Sequence, residues 1–136
     1  MSDVHVKELV YSFCQALTIR NLDKINGLFT QDSCLSWGPY VFEGREKIVG
    51  WASELFELFP FMSIKEKTLK VDGASAKHEF LIAFLTTQGR KGWIPCEADY
   101  SFKGDKINGL KVRLLHGFLA ISKEEVEKVR PHEISK

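Results

Sequence analysis

Four of the 136 residues are histidines, and an imidazole, with an unperturbed pKa of about 6.5, is the side chain best suited to move a proton at neutral pH. His116 carries the main expectation. It ends a run of alternating residues, Leu110, Val112, Leu114, His116 and Phe118, whose period of two puts it on the apolar face of a strand as that face's one ionisable group. Catalysis there needs a second group. Tyr100, on the inward-reading face of the preceding strand, is the nearest donor. Both residues also have a structural alternative, a histidine held by a core hydrogen bond and a tyrosine with a buried ring and a wet hydroxyl. His78 and Glu79 are sequence neighbours, so on a strand they point to opposite faces and cannot act as a pair. The turn between Gly89 and Gly92 leaves open which of the two faces inward. His5 and His132 lie near the termini, where side chains are ordinarily solvated.

Cys14, Cys34 and Cys96 are odd in number, far apart and set in apolar segments, which reads as buried free thiols in a reducing compartment. Cys96 has no basic neighbour to activate it and reads as a small hydrophobe. The sequence contains no metal-ligand spacing, phosphate loop or nucleophile elbow, so no metal and no cofactor is expected. Nineteen basic against eighteen acidic residues, with both signs spread along the chain, argue against nucleic acid or an anionic membrane as partner. The longest apolar run, 80–85, falls far short of the roughly 20 residues that span a bilayer, and residues 1–9 lack a signal-peptide design, so a cytoplasmic location is expected.

The elements that position these groups follow from periodicity. Val6, Leu9, Val10, Phe13 and Leu17 form the apolar stripe of a first helix. Asn21 caps a second, short one through Leu22, Ile25, Leu28 and Phe29, ended by a turn-forming run at Thr30 to Ser33. Leu35 and Trp37, then Tyr40 and Phe42, flank Gly38-Pro39 as a hairpin. From Gly44 the spacing of Ile48, Trp51, Ala52, Leu55, Phe56 and Phe59 predicts a long helix that Pro60 stops.

Beyond residue 62 the period becomes two. Asp72-Gly73, Gly89 to Gly92 and Gly104-Asp105 divide the remainder into four long strands of an antiparallel meander. Glu97 and Asp99 fall on the outer face with Lys111 and Arg113, where opposite charges on neighbouring strands support the pairing. Phe80 to Leu85 are apolar on both faces, so the outer face there needs a cover, and a second copy of the sheet supplies it most simply; a homodimer is expected. Ser122 and Glu125 read as a capping box that opens a short helix over about 122–130. The fold class is therefore α+β, a single domain over 1–136 in which helices pack on a strongly curved, mostly antiparallel sheet of four long strands plus a short hairpin.

This order of elements resembles the nuclear transport factor 2-like superfamily, also called cystatin-like α+β, and within it the SnoaL-like and ketosteroid-isomerase-like group. The resemblance covers residues 4 to 121 and rests on Leu28-Phe29 with Asp32, Gly44-Arg45 with Ile48, Phe59-Pro60, Val71-Asp72-Gly73, and Phe102 with Gly104 to Ile107. It implies a fold more than a function, because isomerases, dehydratases, cyclases, epoxide hydrolases, transport adaptors and binding modules share the scaffold. The isomerase-type members use a carboxylate base at the hairpin, a Tyr on the first helix and a protonated acid on the third long strand. Here those positions fall at Trp37, Phe13 and Ala98, none of which can do that chemistry. Asp99 would restore the acid only after a one-residue slip that turns its strand inside out. Cyclase members place an acid/base group near the end of the last strand, where His116 stands.

The expectation is a small-molecule pocket protein for an apolar, polyketide- or steroid-like ligand. It would be a binding module or a cofactor-independent lyase, isomerase or cyclase using His116 with Tyr100, its pocket lined by Phe13, Trp37, Trp51, Cys96, Ala98 and Leu114. Trp93 is a further candidate for pocket or core. The alternative is a dimeric interaction protein whose cone is filled by its own ten Phe and three Trp.

Overall fold

The computed structural model of the chain describes residues 2–115. Helix α1 spans Asp3–Thr18 and starts at Ser2, whose hydroxyl accepts from the His5 amide at 3.2 Å. It ends in a Schellman arrangement: the Arg20 amide donates to Leu17 O and the Asn21 amide to Ala16 O. That closure needs a left-handed residue, and Arg20 takes the role normally given to glycine, at φ 61°. Its side chain explains the choice. One guanidinium nitrogen donates to Phe59 O and the other to Phe56 O, both at 2.6 Å, and the group lies over the Phe56 ring. Arg20 therefore ties the end of α1 to the C-terminal carbonyls of the long helix α3, Arg45–Leu58. Asn21 then caps α2, Leu22–Leu28, as its sequence position predicts.

Six strands form one sheet: β1 Phe29–Trp37, β2 Tyr40–Glu43, β3 Phe61–Asp72, β4 Ser75–Leu85, β5 Lys91–Lys103 and β6 Lys106–Leu114, in the order β2-β1-β6-β5-β4-β3. β3 to β6 make the antiparallel meander, and β1 joins it in parallel to β6. The hairpin pairs Leu35 with Phe42 and Trp37 with Tyr40, with Gly38 at φ 57°. The run Thr30 to Ser33, expected as a turn, lies inside β1 as an irregularity in its pairing with β6. Ser33 makes this possible: its hydroxyl accepts from the Thr30 amide and donates to Ile107 O, satisfying backbone groups the ladder leaves unpaired.

The three helices of the described residues lie on one face of the sheet. Val6, Val10, Ile25, Phe29, Leu35, Ile48, Trp51, Leu55 and Ile107 meet there as the bulkiest of the fully buried apolar side chains. On the other face Arg113 pairs with Asp99 at 2.6 Å and with Glu97, and Lys77 reaches Glu97, as the alternation predicts. Two expectations need correction. Trp93 is 57% exposed, because it alternates with Ile94 and Cys96 and so belongs to the outer face. Cys34 is half-buried; the three cysteines are free, but only Cys14 and Cys96 are deeply buried. Among the described residues no helix is long and apolar enough to cross a membrane. The helix expected over about 122–130 lies outside the described residues.

Candidate functional site

The inner face of β4 answers the question the sequence left open. His78 points inward and is 0% exposed, while Glu79 points outward and accepts from Thr68 Oγ1. On the neighbouring strand Met62, Ile64 and Glu66 share the inner face with Phe84, Ile82 and Phe80. A bulge follows at Lys67, between the Glu66–Phe80 and Thr68–Glu79 pairs. It lets both Glu66 and Leu69 face inward although they are an odd three positions apart. Glu66 thus reaches His78 from the edge strand, and its carboxylate meets His78 Nε2 in a short contact.

The other ring nitrogen faces α1. Cys14 Sγ lies 4.0 Å from His78 Nδ1 and also neighbours the Tyr100 hydroxyl. The two ring nitrogens of His78 thus face one partner each, Nε2 the Glu66 carboxylate and Nδ1 the Cys14 sulfur. Burial raises the Cys14 thiol well above its ordinary range, and the Glu66 charge adds to this, so the sulfur keeps its proton. Burial likewise raises the Tyr100 phenol, with Cys14 the next cause. The result is a line of four polar groups, Tyr100, Cys14, His78 and Glu66, from four separate elements. It runs from the interior to a carboxylate whose side chain is 40% exposed. Phe80 stacks on the His78 ring at 4.8 Å, and Phe13 and Phe102 lie against Tyr100.

A second cluster lies nearer the hairpin. Trp51 of α3 packs against Trp37 at 5.4 Å and Phe42 at 6.3 Å. Its indole Nε1 is fully buried and has no hydrogen-bond partner among the described residues. Such a donor costs about 1–3 kcal/mol when nothing accepts from it.

Of the residues expected from sequence, Phe13, Trp37, Trp51, Cys96, Ala98 and Tyr100 are all buried on the inner side. Leu114 is half-buried, with its side chain beside the Gly38 turn. Cys96 is the inert thiol expected, raised by burial to about 12. Tyr100 is not wet: its hydroxyl is buried against Cys14. His116 lies outside the described residues. Ala98 stands directly across from His78 in the β4–β5 register, so the position matched to the isomerase acid holds a small residue beside an imidazole. Asp99 pairs with Lys111 and Arg113 on the opposite face and offers nothing to the interior. Glu66 and Cys14 join His78 only through the tertiary fold. Their signal was an acid within the inward alternation Met62, Ile64, Glu66 and a thiol on the apolar stripe of α1.

No protein-family model and no curated protein sequence matches the chain. Solved structures do. An LEH-like epoxide hydrolase from M. tuberculosis superposes with a TM-score of 0.78 at 14% identity, over 95% of this chain and 93% of that one. A protein from Jannaschia sp. CCS1 named for SnoaL-like polyketide cyclases gives 0.74 at 13% identity, over 84% and 89%. A nuclear transport factor 2-like protein from Anabaena variabilis gives 0.73 at 17%, over 82% and 87%. At these identities the likeness establishes architecture, and the chain has the nuclear transport factor 2-like α+β fold.

Proposed function

We propose that the protein binds a small, largely apolar, oxygen-bearing molecule between its helices and the inner face of its sheet. The observation that carries this reading is the Trp51 indole N–H, buried without an acceptor in an otherwise apolar aromatic cluster. Buried donors are nearly always satisfied, and a carbonyl, ether or epoxide oxygen of a bound molecule would satisfy this one. The names of two structural neighbours, a polyketide cyclase and an epoxide hydrolase, refer to oxygen-bearing organic molecules of this kind. Phe13, Trp37 and Ala98 offer such a ligand shape and apolar contact but no proton. Among the described residues the inward-facing group suited to exchange one is His78, backed by Glu66. Turnover, where it occurs, would be that of a cofactor-independent lyase, isomerase or cyclase.

The test is thermal unfolding against a panel of apolar ketones, lactones and epoxides. A compound at a hundred times its Kd adds about 2.7 kcal/mol, which for a domain of this size raises Tm by on the order of 8 °C. Trp51→Phe, which keeps the ring and removes the donor, should weaken the best compound about fivefold, the worth of one neutral hydrogen bond. A panel without any shift, or a shift unchanged in Trp51→Phe, contradicts the reading and favours a cone filled by its own aromatics.

The convex face adds a second copy of the chain as partner. Phe61, Leu81, Ala83, Leu85, Trp93 and Pro95 share that face as an apolar patch. Beside it Lys77, Glu97, Asp99 and Arg113 carry both signs of charge. A patch that mixes both signs at its rim is self-complementary, as a two-fold interface requires. Light scattering should give twice the chain mass, and Trp93→Glu should give the monomer; a wild-type monomer would refute it.

A further inference from the structure

We infer that Cys14, His78 and Glu66 form a binding site for a soft divalent cation of the zinc type. One donor from each, a thiol sulfur, an imidazole nitrogen and a carboxylate oxygen, lie within 4.8 Å of one another. The three come from α1, β4 and β3, so the fold rather than local sequence assembles them. Zinc takes such ligands at about 2.0–2.3 Å, usually three protein groups with a fourth position open to water or substrate. Glu66 and Cys14 meet opposite nitrogens of the His78 ring, so one of them must relocate for a single ion to take all three donors. Glu66 can move most easily: it is on the edge strand, it is partly exposed, and its carboxylate leaves His78 Nε2 to reach the ion.

Charge supports the same assignment. A dication with one thiolate, one carboxylate and a neutral imidazole sums to zero, and a neutral centre is what a buried apolar site accommodates. On binding, the Cys14 S–H bond breaks, its electron pair goes to the metal and the proton goes to solvent. The donor set selects the metal. Thiolate and imidazole favour zinc, cobalt or copper over magnesium or calcium, which require several oxygens.

The site shares His78 and Glu66 with the small-molecule reading, but the two are tested apart, that one with organic compounds and Trp51→Phe and this one with a metal ion and Cys14→Ser. The probe is Co2+ titrated into the full, metal-stripped chain, read by the thiolate-to-cobalt charge-transfer band in the near ultraviolet. The expected result is one equivalent bound, with the band bleached when Zn2+ displaces cobalt. Cys14→Ser should abolish the band, although Cys34 and Cys96 remain. Should Cys14→Ser not fold, Glu66→Gln serves in its place, since it alters a partly exposed side chain; it should weaken cobalt by roughly tenfold or more. No saturable band in the wild type, a band that survives Cys14→Ser, or unchanged affinity in Glu66→Gln each overturns the site.

Discussion

The contact between His78 and Glu66 fixes where the interior polar line meets solvent, and its energy can be worked out from its setting. His78 is fully buried and Glu66 is 40% exposed at its side chain. A hydrogen bond to a charged group contributes about 1.5–3 kcal/mol, and partial exposure of the carboxylate lowers this to about 1–2 kcal/mol. Glu66→Gln keeps an acceptor and the side-chain length, so alone it should cost about 1 kcal/mol. His78→Gln also leaves a void against Phe80 and should cost about 2–3 kcal/mol. In the double variant the pair is already broken, so the costs should fall short of additive by the coupling energy. Urea unfolding with a chelator present measures all four proteins. With a slope of about 2 kcal/mol/M, a coupling of 1–2 kcal/mol appears as a midpoint discrepancy of about 0.5–1 M. Additivity within about 0.4 kcal/mol would show that the two residues do not act on one another and would refute this placement of Glu66.

Three further outcomes follow from other parts of the structure. Arg20→Ala removes two charge-assisted hydrogen bonds to Phe56 O and Phe59 O and should cost about 2–4 kcal/mol in urea unfolding. Arg20→Gly should cost less than that, because glycine relieves the left-handed backbone. Arg113, through its hydrogen bonds, holds the Glu97 and Asp99 carboxyls below their ordinary values. Folded-state pKa values below the unfolded ones stabilise at neutral pH, and that stabilisation is lost as pH falls through the folded values. The stability gap between wild type and Arg113→Ala should therefore shrink in acid; a gap that widens there contradicts the pairing. In native protein at neutral pH a thiol reagent should modify Cys34 first, since burial raises both Cys14 and Cys96, and unfolding should release the other two.

How much of this was legible in the sequence depended on whether a feature was periodic. The stripes of α1 and α3, the hairpin at Gly38-Pro39 and the alternation of β5 and β6 are repeated patterns in which many residues agree, and each took its expected place. The face of His78 was undecidable because a turn of unknown length can shift phase by one residue. The bulge at Lys67 is a phase shift of that kind, and it alone allows both Glu66 and Leu69 to face inward. Thr30 to Ser33 read as a turn because its residues favour turns. Ser33 instead satisfies the irregular backbone from inside β1, a tertiary contact to Ile107 that no local rule contains. Arg20 was invisible for the same reason, its partners lying 36 and 39 residues away. Cys14 and His78 are 64 residues apart, so no motif spacing could have joined them.

The most direct test of the central claim is a crystal structure of the protein with the compound that most raises its melting temperature. The compound should lie between the helices and the inner face of the sheet, with an oxygen within hydrogen-bond distance of Trp51 Nε1. A compound seated on the outer surface, or an interior packed solid around a Trp51 that finds a protein acceptor, would contradict it.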